Sequence, residues 1–191
     1  MDMRQDDPSS FEACALPHFE GLLRIARRLT RREHEAEDLV QETFLKAFRA
    51  FGRVEMREFG IKPWLLKILH NTFITRSTRE QRGPRATDMA QLESDARVDT
   101  SAASGLPILP ALDLDRLDSE VKTAIDELSP EFRVVLLLWA TMEFSYQEVS
   151  EILSIPIGTV MSRLHRARQN LAARLGAFAV QNRLASGQAK P

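Results

Sequence analysis

The sequence predicts an all-α protein: two small helical domains joined by a flexible acidic linker, the second domain containing a helix-turn-helix. Three observations carry this. Apolar residues recur at helical spacing along both halves of the chain, and no strand-period segment or internal repeat interrupts them. Between the halves, residues 86–120 hold eight acids, two arginines, two prolines and the run SAASG, too little apolar surface to order the backbone. Residues 145–174 then read as two helices separated by a tight turn. The boundaries so drawn are a first domain at 11–85, a linker at 86–115, a second domain at 116–178 and a tail at 179–191, frayed from Gln181 onward.

The first helical region covers 11–29, with Pro17 near the start of its main helix and Phe19, Leu22, Leu23, Ala26 and Leu29 on one apolar face. Arg24, Arg27, Arg28, Arg31 and Arg32 crowd the other side and the exit. A second helix is predicted over 33–51. Its early acids, Glu33, Glu35, Glu37 and Asp38, complement a positive helix start. Val40, Phe44, Ala47, Phe48 and Phe51 are spaced to face the core. Nearly opposite runs the series Glu35, Asp38, Glu42, Leu45 and Arg49, with Leu39 and Gln41 on its margins. A solvated charged stripe fits that series. So does a docking stripe for a partner helix, in which Leu39 and Leu45 are apolar anchors inside a polar rim. The residues alone leave both open.

Residues 51–62 read as a loop, and Pro63 in a first helical turn starts a helix over 64–80. Trp64, Leu65, Ile68 and Thr72 form one face, while Leu66, Leu69 and Phe73 make the helix apolar on more than one side. Residues 61–85 hold six lysines and arginines against one acid, Glu80. Aromatics among basic side chains suit single-stranded nucleic acid, where bases stack and phosphates pair. Core packing with a basic exit is the plainer account of Trp64 and Phe73. Asn71 differs, because an amide on the margin of an apolar face can read a base edge.

In the second domain Leu117, Val121, Ala124, Ile125 and Leu128 mark one helix. Ser129-Pro130-Glu131 is placed to cap the next, whose VVLLLWA run is apolar nearly all round and therefore central. Ser145 and Glu148 have capping-box spacing before Tyr146, Val149, Ile152 and Leu153. Ser154-Ile155-Pro156-Ile157-Gly158 stops that helix, since proline cannot continue one and glycine tolerates unusual backbone angles. The helix that follows puts Val160, Leu164, Ala167 and Leu171 on one side. At about 100° per residue, Ser162, His165, Arg166 and Gln169 fall opposite, with Arg163 and Arg168 on the flanks. Residues 155–180 include four arginines and no acid. An isolated helix of this kind reads as a solvated basic face. Here the capped first helix, the turn and the acid-free second helix occur together, and that combination favours base contacts flanked by phosphate contacts.

Several classes are disfavoured. There is no glycine-rich phosphate loop, nucleophile motif or evidently paired carboxylates, so no enzyme is predicted. The net charge of −1 confines DNA binding to local patches. One cysteine, Cys14, rules out an internal disulfide, and His18, His34, His70 and His165 lack ligand spacing, so neither metal nor cofactor is expected. The N-terminal MDMRQDDPSS has no apolar stretch, and the longest apolar run, 134–140, falls well short of the roughly 20 residues a membrane span takes. A cytoplasmic protein without membrane insertion is predicted.

Two segments carry a family resemblance. Leu128-Ser129-Pro130 with IPIGTVMSRLHRAR resembles the promoter-reading end of bacterial sigma factors, in the small extracytoplasmic-function (ECF) group of the sigma-70 family. EAEDLVQETFLKAF, residues 35–48, is similar to the sigma segment that grips a coiled coil of the largest polymerase subunit. The two lie in the order the family requires, and the resemblance covers about 15–82 and 118–175, most of the chain. It implies a transcription initiation factor whose partners are core RNA polymerase, promoter DNA and an anti-sigma factor. It places the polymerase grip on Asp38, Gln41, Glu42 and Leu45, and minus-ten melting on Ile68 and Asn71, with part of 51–62 as the wall of a pocket for a flipped base. Minus-thirty-five contacts fall on Thr159, Ser162, Arg163, His165, Arg166, Arg168 and Gln169. The linker would thread the polymerase cleft. Met161 departs from the arginine that many relatives carry, so their base preference need not transfer.

PIGTVMSRLHRAR is also similar to members whose inhibitors are zinc-containing redox sensors, although Cys14 alone makes the chain itself no dithiol switch. Two rivals remain at this stage. A stand-alone helix-turn-helix regulator leaves the Asp38 stripe without a purpose. A sigma-like adaptor that sequesters an anti-sigma protein would be expected to have lost its basic recognition face, which this chain keeps.

Overall fold

A computed structural model describes residues 8–53, 60–81 and 117–187, and every regular element among them is helical. The predicted linker and residues 54–59 of the predicted 51–62 loop lie outside the described residues. The chain splits into two compact units, one built from the first four helices and one holding most of the remainder.

In the first unit, α1 (Pro8–Ala15) and α2 (Phe19–Thr30) flank a 3-10 turn at Leu16–His18. The single region predicted at 11–29 is therefore two helices, with Pro17 in the turn, where its missing N–H leaves no helical bond unmade. Next come α3 (Glu33–Ala50), a 3-10 turn at Phe51–Arg53, and α4 (Ile61–Gln81). Gly60, at φ 75°, turns the chain into α4, which begins earlier than expected, so that Pro63 sits inside its first turn. α3 packs on α2 and α4, and α1 closes over both α3 and α4. The core runs through Leu22, Ile25, Leu29, Leu39, Leu65 and Leu69, all nearly inaccessible.

Two residues of α3 change sides relative to the sequence reading. Leu39, set on the margin of the charged stripe, is fully buried with Ala36, Val40, Thr43 and Ala47. Phe48, set in the core, is half exposed, though its ring stays edge-on to Phe11 at 5.5 Å. The cause is where the neighbours stand. With helices packed on both flanks, the buried arc of α3 is centred between Leu39 and Val40.

The second unit comprises α5 (Ser119–Asp126), α6 (Pro130–Met142), α7 (Tyr146–Leu153) and α8 (Ile157–Gly187). α6 is buried from Arg133 to Leu138 and packs on α8, as its all-round apolar run predicts. Arg133 is 1% exposed, and its guanidinium donates to the carbonyls of Ile125 (3.2 Å), Asp126 (2.7 Å) and Leu128 (2.6 Å). A charged fork thereby gathers the carbonyls at the end of α5, of which that of Ile125 also accepts the Leu128 amide at 3.2 Å. Ser129 occupies the N-cap position of α6 but makes no side-chain cap bond, contrary to expectation. The Ser145–Glu148 capping box does form: the Ser145 amide donates to the Glu148 carboxylate at 2.8 Å, and the Glu148 amide donates to the Ser145 hydroxyl at 3.3 Å.

The turn between α7 and α8 is closed by Ser154, at φ 55°, not by Gly158, which lies inside the first turn of α8. The Ile155 amide donates to the Ser150 carbonyl at 3.1 Å, and the Ser150 hydroxyl returns a bond to the Ile155 carbonyl at 2.6 Å. Pro156 then offers its carbonyl to the amides of Thr159 and Val160 and starts α8. That helix continues to Gly187, through most of the tail expected to fray. From 177 to 186 the segment is rich in helix formers and contains neither glycine nor proline.

Candidate nucleic-acid and partner interfaces

On α3, the i, i+3, i+4, i+7 spacing of Asp38, Gln41, Glu42 and Leu45 puts all four on one face. Asp38 is 46% exposed, with the His34 imidazole 3.5 Å away. Gln41 is exposed and Leu45 is 58% exposed, an apolar side chain standing in water beside carboxylates. Glu42 is different. One carboxylate oxygen pairs with Lys46 at 2.7 Å, and the other receives Arg76 of α4 through Nη2 at 2.6 Å and Nε at 2.8 Å. Arg76 also donates to the Asp38 carbonyl at 3.1 Å, and Lys46 to the buried Thr72 hydroxyl at 3.1 Å. Glu42 thus ties α3 to α4, a role the sequence reading missed. The Lys46 partner, four residues on, was legible as a helical pair; Arg76 carries no local signal.

The Lys46 ammonium, and after it the Arg76 guanidinium, hold the Glu42 carboxyl below its ordinary value of 4.5 against partial burial. A carboxyl depressed on folding adds stability above its unfolded value and loses it as pH falls through the folded one. The first unit is therefore expected to soften below about pH 4.5. Glu42→Gln should flatten that limb of the melting-temperature profile, and an identical acid limb in the variant would remove the carboxylate's contribution.

α4 buries Leu65, Leu66, Leu69 and Thr72 along one broad face, with Trp64, Ile68 and Phe73 half-buried. Its outer stripe is Lys67, Asn71, Ile74, Thr75 and Thr78, with Ile68 half-buried at the edge. The Asn71 side chain faces outward, while its backbone carbonyl accepts the Thr75 hydroxyl at 2.8 Å.

On α8, Val160, Leu164 and Ala167 are buried, and His165, Arg166 and Gln169 are exposed on the opposite side. Thr159, Ser162 and Arg163 are half-buried beside them, and the Ser162 hydroxyl turns inward to the Thr159 carbonyl at 3.0 Å. Arg168 lies over the Trp139 ring, 4.4 Å from its centroid, a cation–π contact within the unit. Arg174, the last of the four arginines in 155–180, is ion-paired with Glu127. Of the predicted contact residues on α8, His165, Arg166 and Gln169 are thus the exposed ones, with Asn170 exposed beside them. Among the described residues no cluster of histidine, cysteine and acids could hold a metal, and no helix is long and apolar enough to cross a membrane.

The sigma-70 region 2 family model matches residues 17–83, and the sigma-70 region 4 model matches residues 118–171. The ECF RNA polymerase sigma factor SigE of Mycolicibacterium smegmatis is 34% identical over 163 residues, 85% of this chain and 60% of SigE. This chain therefore spans a little under two thirds of that relative's length. EcfG of Rhodopseudomonas palustris, also an ECF RNA polymerase sigma factor, is 33% identical over 73% of this chain and 71% of its own. Among solved structures, the sigma factor RpoE of Bartonella quintana, in complex with the anti-sigma factor NepR, superposes with a TM-score of 0.62. Identity there is 31%, covering 84% of this chain and 93% of RpoE. With both regions matched in order, and relatives above 30% identity across more than two thirds of their length, the chain belongs to the sigma-70 family of bacterial RNA polymerase sigma factors, in its ECF group.

Proposed function

We propose that the first unit, 11–85, docks this chain on core RNA polymerase through Asp38, Gln41, Glu42 and Leu45 and opens the minus-ten element with Ile68 and Asn71. The second unit, 116–178, reads the minus-thirty-five element with the outward face of α8, and residues 86–115 join them. The observation that carries this is the solvent-facing placement of Leu45 beside Asp38 on one helix and of Arg166 and His165 on another, none of them used by the core. Thr159, Ser162, Arg163 and Arg168 line the same end of α8 and act as supports and phosphate contacts. The chain works in the cytoplasm, where polymerase and promoter are. An anti-sigma factor covers these faces, in keeping with the complex that the Bartonella neighbour forms with its anti-sigma factor.

Run-off transcription with purified core polymerase and a promoter set randomised across the minus-thirty-five element tests the reading. Arg166→Ala should cost about 1–3 kcal/mol at one upstream base pair and spare the others, because arginine pairs with guanine through two hydrogen bonds. A uniform drop in output would make Arg166 a phosphate contact and reverse the orientation of α8 in the groove. No polymerase-dependent initiation from any promoter in the set would sink the reading as a whole.

A further inference from the structure

Arg168 and Arg174 of α8 are both held inside the second unit, but by different means. Arg174 pairs with the Glu127 carboxylate, which occupies N–H donors that a phosphate would otherwise use. Arg168 lies over the Trp139 ring, its Cζ 4.4 Å from the centroid. That contact joins the charge of the cation to the face of the ring and needs no acceptor atom. The N–H donors around the rim of the guanidinium are left to an outside oxygen, and residues 155–180 supply no carboxylate to take them. The placement suits the margin of a groove. At 100° per residue Arg168 stands about 40° from buried Leu164 and about 60° from exposed His165, between the core and the outward face. A long side chain leaving the helix there sweeps a wide arc unless something stops it. Trp139 is what stops it. It follows directly on the buried run Arg133–Leu138 of α6, the helix packed on α8, and is itself half-buried, so the ring sits on a rigid element.

We infer that Trp139 is a positioning residue for promoter binding, whose ring holds Arg168 beside the outward face of α8 to meet a DNA phosphate. The inference rests on the reading of α8 given above and adds to it a residue of another helix that reads no base. By restricting the arginine beforehand, the ring lessens the side-chain freedom lost when the phosphate arrives. The face of an aromatic ring is what does this, not the indole N–H. A phosphate contact fixes orientation without carrying sequence information, so Trp139 acts on all promoters alike, whereas Arg166 acts at one base pair.

The test is a double-mutant cycle in holoenzyme, with labelled duplex promoters kept cold so that the strands stay paired, titrated at several salt concentrations. Arg168→Ala should weaken binding and lower the slope of log affinity against log salt by about 0.9, one phosphate on duplex DNA. Trp139→Leu keeps apolar bulk and removes the ring face. It should weaken every promoter about fivefold in the parent but less than about 1.5-fold in the Arg168→Ala background. Trp139→Phe, which keeps a ring face, should stay within about twofold of the parent. An equal loss from Trp139→Leu in both backgrounds would make the tryptophan a packing residue and overturn the inference. A loss in Trp139→Phe as large as in Trp139→Leu would overturn it too, by assigning the effect to the indole N–H. Circular dichroism of the free variants checks folding, and Arg168→Lys carries the test if Trp139→Leu does not fold. Lysine keeps the charge without the planar fork, so the slope should hold while affinity falls about fivefold. Full affinity in Arg168→Lys would show that an unpositioned charge suffices and overturn the inference. Parental affinity and slope in Arg168→Ala would take Arg168 off the DNA and overturn it as well. The reading of α8 itself is decided apart from these, by the loss at a single base pair in Arg166→Ala.

Discussion

Asp38→Arg combined with Leu45→Arg is expected to abolish co-purification with core RNA polymerase while leaving helical content unchanged. Both side chains stand about half in water, and neither holds a helix to its neighbour. Reversing the charge of one and placing a cation on the apolar anchor beside it puts repulsion and an unpaired charge into the contact. Two central interface positions at roughly 2 kcal/mol each amount to about a thousandfold in affinity. Glu42 is left out of this pair because Glu42→Arg would gather three cations between α3 and α4 and confound binding with folding. Pull-down with core and circular dichroism of the free variant are the measurements, and normal core binding by a folded variant would move the polymerase surface off α3.

The second large effect is on stability. Arg133→Met retains most of the buried volume but withdraws the donors that serve the carbonyls of Ile125, Asp126 and Leu128. The Asp126 and Leu128 carbonyls then lose their donor at about 1–3 kcal/mol each, while that of Ile125 keeps the Leu128 amide, and relaxation of the α5 end recovers part of the loss. A net loss of about 3 kcal/mol, or about 15 °C in the transition of the second unit, is expected by calorimetry. A transition within a degree or two of the parent's would mean that α5 is not held by this fork.

What the sequence made legible, and what it hid, follows from the range of the contacts. The capping box of α7 could be read because both partners lie within four residues and their spacing is itself the geometry. The apolar all-round run of α6 could be read because no arrangement of neighbours leaves such a helix at the surface. Leu39 and Phe48 traded places because a helical wheel locates a face only to within the flanks, and the flanks of α3 are decided by α2 and α4. Arg133 and Arg76 were invisible for a stronger reason. Their partners are carbonyls and a carboxylate on other helices, and a solvated arginine and a structural one look alike in a string of letters. Of the candidate contact residues, Asp38, Leu45, Asn71, His165, Arg166 and Gln169 face outward as the wheels place them, whereas Glu42 and Arg168 have partners inside the protein.

The stacking of Arg168 on Trp139 has an optical consequence. The chain has two tryptophans, and the units hold one each: Trp64 on α4, one turn ahead of Ile68, and Trp139 on α6 beneath the guanidinium of α8. An indole's emission answers to a charge on its face and to a base stacked nearby. Each unit therefore carries its own native fluorophore on or beside the helix proposed above to meet the promoter. With one tryptophan at a time replaced by phenylalanine, a stopped-flow trace from the unlabelled protein separates the moment the upstream element is seized from the moment the downstream strand opens.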